Sequence, residues 1–341
     1  MALTHLGYPG KLLELDDGTT YAYLYLAATT ATMTTFLLLH GFPSSSYDWR
    51  IQIQNLTDAG YGVLVPDLLG YGDTDKPVGV ESYRWKRMAA HIVEILEHEG
   101  LESVVGVGHD HGCNLLSPLH YYHPEKFSSL VFVSVPYSEP GPFDIDTLNI
   151  QTKERFGYSL YDYWKFFNES SAASVIEAHN DAATSLFYPT VPELWISDFA
   201  PIGAAKEWIL SDKVVLFPPW LSPEDAAIHS EILLKGGYTG PLNWYKQIMQ
   251  HTSAADELTI PDANKYVDTR TLLVLAGKDF VARADLGAQN PNGRLRNYEV
   301  KVFEEGGHWI PVEQGEKLSR MLMEFVESGN VNATGVVYDG K

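Results

Sequence analysis

The sequence predicts an α/β fold: a mostly parallel, eight-stranded sheet with helices on both faces, interrupted by one inserted helical segment. Three observations carry this. Short apolar runs alternate with helical patterns in the early and late parts of the 341 residues, an order that buries a parallel sheet between helices. Gly108-His109-Asp110-His111-Gly112 sits between such a run and a helical pattern, so strand, sharp turn and helix follow one another directly. The stretch from about Tyr137 to Leu258 breaks the alternation and reads as mainly helical.

Each element has a local reason. Lys11–Asp16 and Thr20–Leu26 flank Asp17-Gly18 and predict an antiparallel hairpin. Thr35–His40, Gly62–Pro66, Ser103–Val107 and Ser129–Val135 are short apolar runs suited to buried strands. Helical patterns fall between them, near Ser45–Ala59, Ser82–Glu99 and Cys113–Tyr122. The alternation resumes with Thr271–Ala276, Tyr298–Phe303 and a last helix over Val312–Val326. The segment between holds five of the eight tryptophans (Trp164, Trp195, Trp208, Trp220, Trp244). It is expected to be a cap inserted after the sixth strand, most of its aromatic rings filling its own core. Residues 137–258 then form the cap, and residues 1–136 and 259–341 the core domain. The tail after Glu327 is expected to be peripheral.

Composition narrows the function. A formal net charge of −20 repels nucleic acid and anionic membranes, so neither is expected as a partner. No apolar run approaches the roughly 20 residues of a membrane span, and the start, Met1-Ala2-Leu3-Thr4-His5, carries no secretory pattern. The single cysteine, Cys113, fits a reducing compartment and reads as a small buried residue. A cytoplasmic location is the expectation.

The chemistry concentrates at strand ends, where open parallel sheets bind ligands. Asp110 follows the run Val104–Gly108, Asp279 follows Thr271–Gly277, and His308 follows Tyr298–Phe303. Nucleophile, acid, histidine is the chain order of one large group of hydrolases, whose elbow reads G-x-S-x-G. Here Asp110 replaces the serine. A carboxylate is a weak acyl nucleophile, but it displaces a leaving group at saturated carbon and leaves an ester on the enzyme. His40-Gly41-Phe42-Pro43 follows the strand Thr35–His40. Its Phe42 backbone N–H, with that of His111, is expected to form an oxyanion hole at a helix N-terminus.

These segments resemble the epoxide-hydrolase branch of the α/β-hydrolase superfamily, over roughly Asp16 to Glu327. The matches are His40-Gly41-Phe42-Pro43, the run Asp67-Leu68-Leu69-Gly70-Tyr71-Gly72-Asp73-Thr74-Asp75-Lys76-Pro77, Gly108-His109-Asp110 and Gly306-Gly307-His308-Trp309. Tyr163-Trp164-Lys165-Phe166-Phe167-Asn168 is similar to the family's Tyr-x-x-Tyr/Phe-Phe-Gln segment, and Leu242-Asn243-Trp244-Tyr245 to its Asn-Trp-Tyr. The resemblance implies an α/β-hydrolase fold and two catalytic cap tyrosines, Tyr163 and Tyr245, with Tyr161 and Tyr158 as rivals for the first. It implies Asp110 as nucleophile, with His308 oriented by Asp279 to activate water. Phe42, Trp164 and Trp309 are expected to line the substrate site. The substrate is expected to be a small apolar epoxide, hydrolysed to a vicinal diol without cofactor or metal. His109/His111 and His120/His123 lack a completing carboxylate or cysteine cluster for a metal. One position departs from the family: its usual tryptophan after the nucleophile is His111 here.

Two other readings use the same nucleophile. Haloalkane dehalogenases hold halide with indole N–H groups, one at the position of His111. Fluoroacetate dehalogenases carry arginines just beyond the nucleophile, where this chain has His111 and Asn114. A third reading is a non-catalytic small-molecule receptor on the same fold.

Overall fold

The computed structural model describes residues 2–290, 292–329 and 336–338. Nine strands form one sheet: β1 (Lys11–Glu14), β2 (Thr20–Leu26), β3 (Thr35–Leu39), β4 (Gly62–Pro66), β5 (Val104–His109), β6 (Phe127–Val133), β7 (Arg270–Ala276), β8 (Tyr298–Phe303) and β9 (Val336–Tyr338). Their order is β1-β2-β4-β3-β5-β6-β7-β8-β9. β2 runs antiparallel to β1 and β4, and every pairing from β4 through β3 to β9 is parallel. The eight expected strands are present, and the tail adds a ninth at the edge, its three residues paired with Val300–Val302.

Side chains alternate between two buried layers, as the two-residue period of a strand requires. Phe36, Leu38, Val105, Val107, Val131, Val133, Leu272 and Val274 point to one face, where Trp49, Ile53, Leu56, Leu318, Leu322 and Phe325 cover them. Leu37, Leu39, Leu130, Phe132, Leu273 and Leu275 point to the other. That second layer continues without a break into the aromatic residues of the inserted segment, including Trp164, Phe167, Trp244 and Tyr245. Between β6 and β7 the described residues form helices and no strand, from Ile145–Phe156 through Thr239–Met249 to Ala254–Glu257.

Some boundaries differ from expectation. The helix expected from Ser82 begins at Trp85, because Val80–Tyr83 forms a separate 3₁₀ turn. The last helix runs Gly315–Glu327, after a short turn of helix at Ile310–Glu313. Among the described residues, no helix is long and apolar enough to cross a membrane.

Candidate active site

The elbow is built by close approach. β5 ends at His109 and a helix starts at His111, leaving Asp110 alone at the turn with φ 53° and ψ −123°. A non-glycine residue there stores backbone strain. A Cβ on Gly112 would lie 2.1 Å from the Leu39 carbonyl oxygen, and one on Gly41 would lie 2.4 Å from Asp110 Oδ1. The two loops therefore meet only because both positions are glycine. The contact brings Phe42 N–H to Asp110 Oδ1 at 2.8 Å. The His111 backbone N–H belongs to the first turn of the helix that follows, where amide groups lack intrahelical acceptors.

His308 faces the nucleophile. Its Nε2 lies 3.5 Å from Asp110 Oδ2, and its Nδ1 donates to Asp279 Oδ2 at 2.6 Å. Asp279 is held in turn: its Oδ1 accepts from the N–H groups of Val281 and Ala282 at 2.9 and 2.8 Å. Burial opposes charge on His308, but Asp279 and Asp110 outweigh it and hold its pKa up at about 10. Burial likewise opposes charge on Asp110. The charge of His308, 3.5 Å away, outweighs it and holds the carboxyl well below its ordinary range. The resting pair is a carboxylate and an imidazolium.

Two positioning residues were not singled out from the sequence. The His308 backbone carbonyl accepts from His109 Nε2–H and from Ser134 Oγ–H, each at 2.8 Å. Burial and the neighbouring His308 push the His109 pKa down to about 4, so this imidazole is neutral and its N–H donates. His109 stood in the elbow motif, but nothing in the sequence shows which way its ring turns. Ser134 had no sequence signal.

The inserted segment supplies the opposite wall. Trp244 Nε1–H donates to the Leu69 carbonyl at 2.9 Å, and Asn243 Nδ2–H donates to the Val78 carbonyl at 3.2 Å. Both bonds anchor the helix Thr239–Met249 on the loop after β4, and the next residue, Tyr245, faces Asp110. Tyr245 packs edge-on against Phe42 (centroids 5.1 Å apart) and His111 (4.3 Å). Tyr163 stacks on Phe199 at 4.3 Å and lies 6.1 Å from Tyr245, ring to ring. Burial, then neighbouring negative charge including that of Asp110, keeps both phenols protonated far above their ordinary pKa. Of the two rivals, Tyr158 donates away from the site to the Phe280 carbonyl at 2.9 Å. Tyr161 lines the outer cavity only.

Two cavities meet at Asp110, Tyr163, Tyr245 and His308. The inner one, about 20 Å³, also touches Phe42, Trp195 and Trp309. The outer one, about 620 Å³, also touches His111, Trp164, Phe143 and Ile248. The Asp110 side chain is 15% exposed, enough to meet a ligand. Of the expected lining residues, Phe42 and Trp309 face the inner cavity and Trp164 the outer one. Trp309 is fixed by Nε1–H donation to the Phe187 carbonyl at 2.9 Å. Cys113 is buried, with its thiol pushed well above the ordinary range by burial.

A second buried cluster joins the inserted segment to the core beside the oxyanion loop. His229 Nε2 lies 3.0 Å from Asp48 Oδ1, and Ser44 Oγ–H donates to Asp48 Oδ2. Tyr188 O–H donates to the Pro43 carbonyl at 2.5 Å, and its ring packs on both His229 and Trp309.

Several known proteins are similar to this chain. The alpha/beta hydrolase fold family matches residues 34–179. Epoxide hydrolase A of Mycobacterium tuberculosis is 30% identical over 306 residues, covering 85% of this chain and 89% of that protein. Epoxide hydrolase srdG of Neurospora crassa is 26% identical, covering 90% and 92%. Bifunctional epoxide hydrolase 2 of Rattus norvegicus is also 26% identical, but the match takes in 85% of this chain and only 51% of that protein. Among solved structures, an epoxide hydrolase from an endophytic Streptomyces shares the fold with a TM-score of 0.81, covering 97% of this chain and 98% of that one at 23% identity.

Proposed function

The chain belongs to the epoxide hydrolase family, and on that premise we propose that it opens a small apolar epoxide to a vicinal diol through an ester on Asp110. One observation carries the assignment of roles: a carboxylate, its histidine and two buried phenols converge on the same enclosed space. In this reading residues 137–258 act as the cap and residues 1–136 and 259–341 as the core.

Phe42 N–H already holds Oδ1, so Oδ2 is the attacking atom. The bond from Oδ2 to a ring carbon forms as that carbon's bond to the ring oxygen breaks. Tyr163 and Tyr245 donate to the oxygen as its charge grows, and one of them gives it a proton. Alkylation removes the negative charge that helped hold the His308 proton. That proton then returns to the tyrosinate through water, leaving His308 neutral.

Neutral His308, oriented by Asp279, takes a proton from water, and the hydroxide adds to Cγ of Asp110. The inner cavity, about 20 Å³ and bordered by His308 and Asp110, has room for about one water. The tetrahedral anion sits on Oδ1, stabilised by the N–H groups of Phe42 and His111. Its collapse breaks the Cγ–Oδ2 bond, and the departing oxygen takes the proton from His308. The new carboxyl returns its own proton to His308, which restores the ion pair. Neither step requires a metal or an organic cofactor.

Dehalogenation is less favoured because the indole N–H that halide binding takes from the residue after the nucleophile is replaced here by His111. A cytoplasmic setting belongs to the proposal, supported by the one cysteine, Cys113. The test is a panel of small epoxides, styrene oxide among them, assayed for diol. Diol from wild type and none from Asp110→Ala is expected. Halide release from haloalkanes with no diol from any epoxide would refute the assignment.

A further inference from the structure

Resting on that reading, we propose that His111 is a specificity-determining residue: its side-chain Nε2–H binds a neutral acceptor oxygen carried by the epoxide on the arm that enters the outer cavity.

The proton's position follows from a chain of hydrogen bonds. Ser138 N–H donates to Ser117 Oγ at 2.9 Å, fixing the loop after β6. Ser138 Oγ–H donates to Asn114 Oδ1 at 2.8 Å. With its oxygen so engaged, Asn114 turns its amide nitrogen to His111 Nδ1 at 3.1 Å. An amide nitrogen only donates, so Nδ1 accepts and the neutral ring carries its hydrogen on Nε2. Burial first, and His308 nearby, pull the His111 pKa below its ordinary value despite the opposing pull of Asp110.

The donor has no answering group. Among the described residues no partner is found for Nε2, although the residue is only 2% exposed and lines the outer cavity together with Asp110, Tyr163 and Tyr245. Tyr245 meets the ring edge-on at 4.3 Å, while Trp244 and Trp164 flank it at 5.9 and 6.2 Å. The ring is held, and so is the direction of its N–H. Nε2 opens on that cavity, so a substrate that displaces solvent from it without supplying an acceptor leaves it unpaired, which is costly, whereas a substrate that carries an acceptor avoids that cost. A site built around a hydrogen bond therefore discriminates against the analogue that lacks it. The matching group is an ether, hydroxyl or carbonyl oxygen. A carboxylate does not suit, because the ring is neutral and Asp110 is its chain neighbour.

Butyl glycidyl ether and 1,2-epoxyoctane test this, since they differ by one oxygen in place of one CH₂. The quantity read is the ratio of kcat/KM for the ether to that for the hydrocarbon within each variant, which cancels any general loss of activity. His111→Phe is expected to lower the ratio by roughly three- to tenfold, mostly through KM of the ether. His111→Gln, which restores an N–H donor, is expected to recover most of it. An equal ratio in wild type and His111→Phe overturns the inference. The unaltered protein gives an independent reading that needs no variant. Its histidine ¹⁵N spectrum is expected to show His111 protonated at Nε2, and protonation at Nδ1 overturns the inference. No diol from either epoxide would overturn the proposed function and this inference together, whereas diol from both at an unchanged ratio overturns this inference alone.

Discussion

Asp279→Asn separates the two halves of the proposed reaction. Asp279 uses one oxygen for two backbone N–H groups, at 2.9 and 2.8 Å, and the other for His308 Nδ1–H at 2.6 Å. Asparagine has a single acceptor oxygen. If it keeps the two backbone donors, its NH₂ group faces His308. The imidazole must then accept at Nδ1 and carry its proton on Nε2, the nitrogen that has to take one from water. A carboxylate-to-amide change that forces the wrong tautomer in this way costs about 10⁴-fold, or about 5 kcal/mol at about 1.36 kcal/mol per tenfold. That loss falls on ester hydrolysis, whereas attack by Asp110 needs no base. Trp195 lies 5.4 Å from the His308 ring, so stopped-flow tryptophan fluorescence is expected to show a rapid alkylation phase followed by very slow recovery. Intact-protein mass is expected to increase by the mass of the epoxide. Equal losses in both phases, or steady-state turnover within tenfold of wild type, would refute this account of Asp279.

Other outcomes follow from the same geometry. Tyr245→Phe removes one of two donors to the ring oxygen, and single-turnover alkylation is expected to slow by roughly 10²-fold with ester hydrolysis little changed; slower hydrolysis alone would contradict that role. The folded His308 pKa is raised to about 10, so its charge stabilises the protein fully below its unfolded pKa of about 6.5 and progressively less as pH climbs to about 10. The gap in Tm between wild type and His308→Gln is therefore expected to narrow across that interval, and a gap that widens would reverse the sign. His229→Leu removes the ring 3.0 Å from the buried Asp48 carboxylate, which keeps Arg50 at 3.8 Å and the Ser44 hydroxyl, and is expected to cost about 1–3 kcal/mol in urea unfolding; a loss below about 0.5 kcal/mol would show that the pair contributes little. Trp244→Phe deletes the buried bond to the Leu69 carbonyl and is expected to destabilise by about 1–3 kcal/mol, measured the same way.

Much of this was legible in the chain because local pattern and long-range packing agree. The apolar runs Gly62–Pro66 and Tyr298–Phe303 are strands with those same limits, since turn residues bound each run. Asp110, Asp279 and His308 were readable because each directly follows a strand. What the sequence hid depends on separation. The last strand, Val336–Tyr338, has three residues and gains its identity only from pairing with β8. The start at Trp85 was obscured because a 3₁₀ turn and a helix share side-chain spacing over so few residues. Ser134 and His109 act on a backbone carbonyl at position 308, a relation that no motif encodes. Asp48 and His229 lie 181 positions apart (229 − 48) yet 3.0 Å apart in space, and neither stands in a recognisable pattern.

The glycine contact between the oxyanion loop and the elbow has a practical meaning for anyone wishing to redirect this protein. With a Cβ at position 112 only 2.1 Å from a main-chain oxygen, and one at position 41 only 2.4 Å from the nucleophile, mutagenic libraries at these two sites should yield almost nothing but inactive clones. Diversity is better invested in the outer chamber, at Phe143, Trp164 and Ile248. Selectivity can be reshaped there while the machinery for bond breaking is left untouched.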